Sequence, residues 1–301
     1  MAVFHAHQAC SSSSFCGAAS CCALLTSLIP RYGWLLLLLL SPPVLAQRTV
    51  ERDFQPYFAQ YNLKGSFLLL ETGSGPDQYT AYNLARCRQG FLPASTFKIP
   101  NTLIGLETGA VRDTAEVFRW NGKPRAFPQW NQDMSFARAL RVSCVPCYQE
   151  LARRIGAPRY QQWLPKLQFG RMVVTPATVD TFWLAGASRI TQFEQLAFLR
   201  RLQQGKLPVS KRNQDLTKAM LVLSRGPGWV LRGKTGWTSQ QGYDNGWFVG
   251  WVEQGGKTYF FALNAEPADG KPATATFVQG RRAVTEQILQ QEFKLLSPPK
   301  P

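Results

Sequence analysis

The sequence predicts a mixed α+β protein, in which an antiparallel sheet is flanked by helices and carries a helical subdomain. Two observations lead to this fold class. Strand-like runs lie near both ends of residues 47–301, and the apolar residues of the long section between them have helical spacing. That part of the chain contains no internal repeat and no linker long enough to divide it, so residues 47–301 are predicted to form one domain.

The predicted strands are short runs rich in apolar and aromatic residues, bounded by residues that favour turns. The run TGSGPD at 72–77 separates the first two strands, and QGG at 254–256 separates the last two. Such short connections are typical of antiparallel neighbours. The predicted strands are 64–71, 78–83, 229–235, 246–253 and 257–264.

The helices are predicted from apolar spacing and from residues that begin or end a helix. One follows Ile99 and ends at Gly109. A second is predicted at Val145–Ile155, because Pro146 suits a first turn and Gly156 suits a stop. Two further helices are predicted at 191–202 and 283–293.

The first 46 residues have the features of a secretory signal peptide. Arg31 precedes the apolar run WLLLLLL at 34–40, and Val44 and Ala46 are small residues suited to a cleavage site. The run is far shorter than the about 20 residues that a spanning helix needs. We therefore predict cleavage after Ala46 and a periplasmic protein with no membrane attachment after cleavage; an uncleaved anchor is the alternative.

The chain is strongly basic, with 34 Lys and Arg against 18 Asp and Glu and a formal charge of +16. The basic residues are scattered or paired rather than clustered, so no nucleic-acid partner is expected. A solvated basic surface suits a protein that meets small anions.

The histidines and cysteines limit which chemistry is available. His5 and His7 both lie in the predicted signal peptide, so residues 47–301 contain no histidine. Cys87, Cys144 and Cys147 remain, and at most one internal bridge can form among them. A zinc site would need a fourth ligand, so no metal is expected. Buried free thiols are expected at Cys144 and Cys147.

A possible nucleophile lies in PASTFKIP at 93–100, where Ser95 and Lys98 form a Ser-x-x-Lys motif. At the start of a helix the two side chains lie on one face, so the amine can reach the hydroxyl. The N-terminal end of the helix also favours negative charge where an oxyanion would form. The alternative is a capping serine followed by a surface lysine.

Two later motifs strengthen the catalytic interpretation. Lys234-Thr235-Gly236 ends a predicted strand, and Ser-x-x-Lys followed by Lys-Thr-Gly is the signature of penicillin-recognising serine enzymes. A lysine and a threonine at a sheet edge can hold a substrate carboxylate. By itself, Lys-Thr-Gly could be a lysine before a tight turn. The third motif is Ser143-Cys144-Val145, whose last residue is apolar.

With these motifs the chain resembles the class D, or oxacillinase-type, serine β-lactamases across essentially all of residues 47–301. The resemblance implies the transpeptidase-like fold and hydrolysis of β-lactam antibiotics, conferring resistance, with a β-lactam as the small-molecule partner. A homodimer stays open. The stretches that carry the resemblance are FLPASTFKIPNTLIGLETG, WNGKPRAFPQWNQDMSFARALRVSCVPCYQELARRIG, FWLAGASRI, KTGW and GWFVGWVE.

The resemblance implies roles for five residues around the nucleophile. Ser95 is the residue that is acylated, and Lys98 is the lysine that carbon dioxide carbamylates to N6-carboxylysine. Ser143 relays a proton to the lactam nitrogen, with Val145 as its apolar neighbour. Trp183 hydrogen-bonds the carbamate. The carbamate would be the general base, so no histidine, metal or further cofactor is required.

The resemblance also implies a substrate-binding side of the site. Lys234, Thr235 and Gly236 bind the substrate carboxylate, together with Arg281 on the last helix. The backbone N–H groups of Ser95 and Trp237 form the oxyanion hole. Arg282 is adjacent to Arg281, so the register of this assignment is open.

One motif departs from the family. Where the family usually has Tyr-Gly-Asn, this chain has Phe169-Gly170-Arg171, which puts the local loop geometry and the rate in question. Three alternative functions share some of the motifs. They are a β-lactam sensor domain that deacylates slowly, a penicillin-binding carboxypeptidase or transpeptidase, and a protein without activity.

Overall fold

A computed structural model of the protein describes residues 48–73 and 75–296. The predicted signal peptide and its cleavage site after Ala46 lie outside these residues. Within them, no helix is both long and apolar enough to cross a membrane.

One twisted sheet of seven strands organises the described residues, in the order β1-β3-β2-β9-β8-β7-β6. β1 runs parallel to β3, and every other neighbouring pair in this sheet is antiparallel. Two short strands, β4 and β5, form a separate ladder. The strands are β1 (Arg48–Glu51), β2 (Leu63–Thr72), β3 (Gln78–Tyr82), β4 (Val117–Phe118), β5 (Met134–Ser135), β6 (Val222–Gly226), β7 (Trp229–Gln240), β8 (Tyr243–Gln254) and β9 (Lys257–Pro267).

The helices cover both faces of the sheet. Most of them lie between β3 and β6 in the chain and form the helical subdomain, whereas the first and last helices pack together on the opposite face. They are α1 (Gln55–Ala59), α2 (Leu84–Cys87), α3 (Lys98–Glu107), α4 (Phe136–Arg141), α5 (Val145–Ile155), α6 (Ala157–Leu167), α7 (Gln192–Gln203), α8 (Lys211–Met220) and α9 (Ala275–Gln291).

Two apolar cores result from the alternation of side chains along the central strands. On β8, Trp247 and Val249 face the helical subdomain, while Phe248 and Val252 face α1 and α9. Both sets are fully buried, which explains why these strands read as nearly continuous apolar runs.

The fold class is as predicted, an antiparallel sheet between helical layers, and the five predicted strands are present. β1 and β6, at the two edges of the sheet, were not predicted. The prediction for the last helix was wrong at its start, because α9 begins at Ala275 rather than at residue 283. Thr274 caps the helix by accepting a hydrogen bond from the N–H of Phe277. This capping threonine was not recognised in the sequence, because it follows a loop without a clear apolar pattern.

The expectation of free thiols at Cys144 and Cys147 was wrong, since the two residues form a disulfide. Cys144 is the N-cap of α5 and Cys147 lies three residues later in its first turn. Positions three apart on a helix are neighbours, and their Cα atoms are 5.4 Å apart, which is within disulfide range. Among the described residues, Cys87 is the one free cysteine; it is buried, and burial raises the pKa of its thiol to about 12.

Candidate active site

Ser95 lies in a short 3₁₀ turn, Ala94–Phe97, that runs directly into α3. Lys98 is the first residue of α3, and its Nζ donates a hydrogen bond of 2.8 Å to Ser95 Oγ. Ser95 is 6% exposed and Lys98 is fully buried. The structure therefore brings the two residues of the Ser-x-x-Lys motif into direct contact, and Lys98 is not a surface lysine.

Burial dominates the electrostatics of Lys98. Desolvation lowers its pKa well below the usual lysine value, and the positive charge of Lys234 lowers it further. Its Nζ lies 5.3 Å from the centroid of the Tyr148 ring, which is itself buried. A lysine whose pKa falls this far can be a neutral amine with a free lone pair.

Trp183 packs against the turn that carries Ser95. Its ring stacks on Phe97 with centroids 5.5 Å apart, and its backbone carbonyl accepts a hydrogen bond from the N–H of Ala94. The side chain is fully buried, yet Nε1 has no hydrogen-bond partner among the described residues. A buried N–H without an acceptor is costly, so it indicates that an acceptor is missing. We call Ser95, Lys98, Val145 and Trp183 the helical wall.

The facing side of the site is built by β7. Lys234 Nζ donates to the backbone carbonyl of Thr235 at 2.9 Å and to Ser143 Oγ at 3.0 Å, so Ser143, which lies between α4 and α5, contacts the sheet side of the site. Burial lowers the pKa of Lys234 to about 7, and the nearby charge of Arg281 contributes. We call Lys234, Thr235, Gly236 and Arg281 the sheet wall.

The Lys-Thr-Gly motif lies inside β7 rather than at the end of a strand, and β7 is next to the edge strand β6 rather than at the edge. Gly236 permits this strand to approach the nucleophile turn. A Cβ at Gly236 would lie 3.2 Å from both the carbonyl oxygen of Pro93 and Cγ2 of Thr96, tighter than nine in ten real Cβ contacts. A larger residue would require β7 or the turn that carries Ser95 to shift by a few tenths of an ångström. Trp237 follows on the same strand, and its indole Nε1 donates to Asp244 at 2.7 Å.

Arg281 reaches the site from α9, on the opposite face of the sheet. It crosses at Gly246, where a Cβ would lie 2.3 Å from Arg281 Cδ, and its guanidinium donates to the carbonyl of Gly236. Arg281 is 4% exposed, and burial lowers its pKa to about 10, so it is charged at neutral pH. Arg282 instead forms an ion pair with Glu286 at 2.6 Å, and it is absent from the lining of the cleft at Ser95.

A cleft of about 300 Å³ is bounded by Ser95 and Val145 of the helical wall and by Thr235, Gly236 and Arg281 of the sheet wall, whereas the two lysines and Trp183 are not among its lining residues. None of the described residues that line it is acidic. Several lining residues were not singled out from the sequence, although some lie close to the Ser-x-Val motif or in the stretches that carry the family resemblance. Ser95, Ser143, Val145, Thr235, Gly236, Trp237 and Arg281 line it, together with Phe127, Gln129, Trp130, Arg141, Val142 and Val278.

A larger cavity of about 840 Å³ lies near Arg171 and contains none of the predicted site residues. The hydroxyls of Ser95 and Ser143, each in contact with a buried lysine, line the smaller cleft and not the larger cavity. Phe169, where the family usually has tyrosine, is fully buried and packs on Phe97 and Phe198 at 5.9 and 4.8 Å. This position supports the nucleophile turn from behind and does not line the cleft.

Comparisons with known proteins agree with this architecture. The penicillin binding protein transpeptidase domain matches residues 56–289, which defines the broad class of fold. Beta-lactamase OXA-5 of Pseudomonas aeruginosa is 41% identical over 212 residues, 69% of this chain and 78% of that protein. Beta-lactamase OXA-48 of Klebsiella pneumoniae is 37% identical over 251 residues, 83% of this chain and 92% of that protein.

Solved structures give the same result. The class D β-lactamase YbXI from Nostoc superposes with a TM-score of 0.74 at 39% identity, covering 79% of this chain and 97% of that one. FUS-1 (OXA-85), a class D β-lactamase from Fusobacterium nucleatum, gives 0.73 at 33% identity, covering 81% and 98%. The chain therefore belongs to the class D, or oxacillinase-type, serine β-lactamases, which confirms the family and the fold predicted from the sequence.

Proposed function

We propose that the protein hydrolyses β-lactam antibiotics through an acyl-enzyme on Ser95, with Lys98 carbamylated, and that it acts in the periplasm and confers resistance. One observation carries the proposal. A buried lysine of strongly lowered pKa contacts Ser95 Oγ at 2.8 Å, and Trp183, which stacks on the adjacent Phe97, has a buried indole N–H with no acceptor among the described residues.

The residues around Lys98 fit a carbamate. Carbon dioxide adds only to a neutral amine, and burial favours that form. The Nε1 of Trp183 would supply a donor to a carbamate oxygen, which would satisfy its unpaired N–H. When present, the carbamate supplies a general base next to Ser95 for acylation and for the water that cleaves the acyl-enzyme.

The attack on the lactam, the proton transfer to the leaving nitrogen and the binding of the substrate carboxylate are assigned to the protein's own residues. Ser95 Oγ loses its proton as it attacks the lactam carbonyl, and the C–N bond of the ring breaks. Ser143, which is hydrogen-bonded to Lys234, is positioned to pass a proton to the leaving nitrogen. Thr235 and Arg281 line the cleft and offer a hydroxyl and a fixed positive charge to the substrate carboxylate. The N–H groups of Ser95 and Trp237 would hold the oxyanion.

The experiment is a bicarbonate titration of the purified protein in degassed, mildly acidic buffer, with labelled carbon dioxide followed by carbon NMR. We expect activity to fall on degassing, to recover with bicarbonate, and to parallel a carbamate signal. Trp183→Phe keeps an aromatic ring but lacks the N–H, so it should need more bicarbonate for the same recovery. Activity that ignores bicarbonate, with no carbamate signal, would show that Lys98 acts as a free amine.

Two further measurements test the rest of the proposal. Steady turnover of nitrocefin after the first equivalent separates a hydrolase from a sensor or transpeptidase, which would release one equivalent and then stop. N-terminal sequencing of protein from a periplasmic extract should begin at Gln47 if the signal peptide is cleaved after Ala46. Growth of the expressing host in penicillin then tests resistance.

A further inference from the structure

The disulfide between Cys144 and Cys147 lies directly beside a residue of the proposed proton path. Ser143 precedes Cys144, and its backbone has a φ of 55°, in the left-handed region that non-glycine residues rarely adopt. Its Oγ accepts the hydrogen bond from Lys234 at 3.0 Å. A backbone in this conformation is held by its surroundings, because the residue alone would relax out of it.

Local hydrogen bonds anchor the two residues on both sides, and the shorter backbone bonds are on the N-terminal side. The N–H of Ser143 donates to the carbonyl of Leu140 at 3.1 Å, and the N–H of Cys144 donates to that of Ala139 at 2.9 Å. Both acceptors belong to α4. On the C-terminal side, Cys144 is the N-cap of α5: its carbonyl accepts a bond of 3.3 Å from the N–H of Tyr148, and its sulfur is a weak acceptor for the N–H of Cys147, at 3.2 Å.

The disulfide adds a covalent constraint on the C-terminal side. It joins the N-cap of α5 to the third residue of its first turn, and its two cysteines are 0% and 2% exposed. The same turn carries Val145, which lines the cleft. A covalent bond across this turn fixes the direction in which the chain leaves Ser143, and therefore the position of Ser143 Oγ.

We propose that the Cys144–Cys147 disulfide is a positioning element for Ser143, holding its hydroxyl on Lys234 Nζ for proton transfer to the leaving nitrogen during acylation. This inference rests on the proposed function of Ser143. The cysteines are positioning residues, since neither lines the cleft. The alternative is that the disulfide only stabilises the fold.

The test is a double-mutant cycle on the acylation rate, measured by stopped-flow mixing with a chromogenic cephalosporin and by mass spectrometry of the acylated protein. Cys144→Ser with Cys147→Ala removes the bond but keeps a side-chain cap for α5. Small displacements of a catalytic group cost up to about 100-fold, so we expect acylation to slow roughly 10- to 100-fold, with deacylation unchanged. In a Ser143→Ala background the same pair of substitutions should cause no further loss.

An equal loss in both backgrounds, or no loss in either, would overturn the proposal, because a purely structural bond cannot depend on the Ser143 hydroxyl. Failure of the proposed function is distinguishable. If the protein is not acylated at all, the proposed function is wrong. If its activity does not respond to bicarbonate, the proposed carbamate is wrong, but the double-mutant cycle on the acylation rate can still be interpreted.

A second measurement covers the case in which the double variant does not fold. In a Cys87→Ser protein, dithiothreitol can reduce the disulfide, giving two thiols as the reagent forms its own cyclic disulfide. Thiol counting after denaturation confirms that two thiols have appeared. Acylation should slow by the same factor and return on reoxidation. A protein with two counted thiols that is still acylated at the full rate would contradict the inference.

Discussion

The helical wall and the sheet wall each contain a buried lysine, and the two lysines differ in their partners. Lys98 makes one side-chain hydrogen bond among the described residues, to the hydroxyl of Ser95, and lies over the ring of Tyr148. Lys234 donates to a backbone carbonyl and to Ser143, with Arg281 nearby. Burial lowers the pKa of both lysines.

This difference shows how equal burial can serve opposite purposes. A lysine whose one side-chain hydrogen bond goes to the hydroxyl of Ser95 is suited to work as a neutral amine, or as the carbamate formed from that amine. A lysine that points two donors at fixed acceptors, beside a charged arginine, is suited to bind an anion, because an arriving carboxylate restores its charge. The division between base and anion binder therefore follows from the neighbours rather than from the residue type.

The largest expected effect is at the nucleophile of the helical wall. Ser95→Ala should abolish turnover, a loss on the order of 10⁴-fold or more, because no acyl-enzyme can form. Ser143→Ala should keep measurable turnover, since it removes a proton relay and not the nucleophile. Nitrocefin hydrolysis measures both, with circular dichroism as the check on folding. Turnover in a folded Ser95→Ala protein would assign the nucleophile elsewhere.

The next effect tests whether the helical wall needs to be apolar. Val145→Asp introduces a carboxylate into the cleft that Ser95 lines, and an opposite charge within about 4–6 Å of Lys98 would raise its pKa. The fraction of neutral amine, and with it kcat in carbon-dioxide-limited buffer, should fall by about tenfold for each pH unit by which the raised pKa exceeds the pH of the assay.

Val145→Asn is the matched control, because it has nearly the same shape without the charge. It should lose far less activity than Val145→Asp, and added bicarbonate should restore more of it. Equal losses in the two variants would mean that shape, and not charge, matters at this position.

A smaller effect distinguishes the two adjacent arginines of α9. Arg281 lines the cleft and Arg282 pairs with Glu286 outside it. A charge-assisted contact is worth roughly 1.5–3 kcal/mol, so Arg281→Ala should raise KM for penicillins about 10- to 100-fold. Arg282→Ala should change KM much less. The reverse order in steady-state kinetics would shift the carboxylate-binding register by one residue.

The smallest effect is on stability, and it concerns Lys234 of the sheet wall. In the unfolded chain this lysine keeps its proton up to its ordinary pKa of 10.5, whereas burial in the folded protein lowers that pKa to about 7. Between these values the unfolded state binds more protons, so the free energy of unfolding rises with pH, by at most about 1.4 kcal/mol per pH unit. Lys234→Met removes this dependence.

Urea unfolding in carbon-dioxide-free buffer at several pH values between 7 and 10 measures this effect. The advantage of Lys234→Met over the unaltered protein should be greatest at pH 7 and shrink as the pH rises. Lys206→Met, at an exposed position, is the control for removing a lysine. An advantage that does not change with pH would mean that Lys234 stays protonated in the folded protein.

Part of the site could be predicted from the sequence because its chemistry is local. Ser95 and Lys98 are three residues apart, so the start of one helix is enough to bring them together. The same locality gave α5 its correct bounds, Val145–Ile155, since Pro146 and Gly156 mark its two ends. The disulfide was missed although it too is local, because an odd number of cysteines leaves their pairing open.

The sequence by itself determined the fold class, the family and the residue types of the chemistry, since those depend on motifs and on the spacing of apolar residues. Only the tertiary structure decided that Arg281 rather than Arg282 lines the cleft, that Ser143 touches Lys234, and that the Trp183 N–H has no partner in the part of the chain that the structure describes. These contacts join residues far apart in the chain. Their distances are set by how the sheet packs against its two helical layers, and no local pattern encodes that packing.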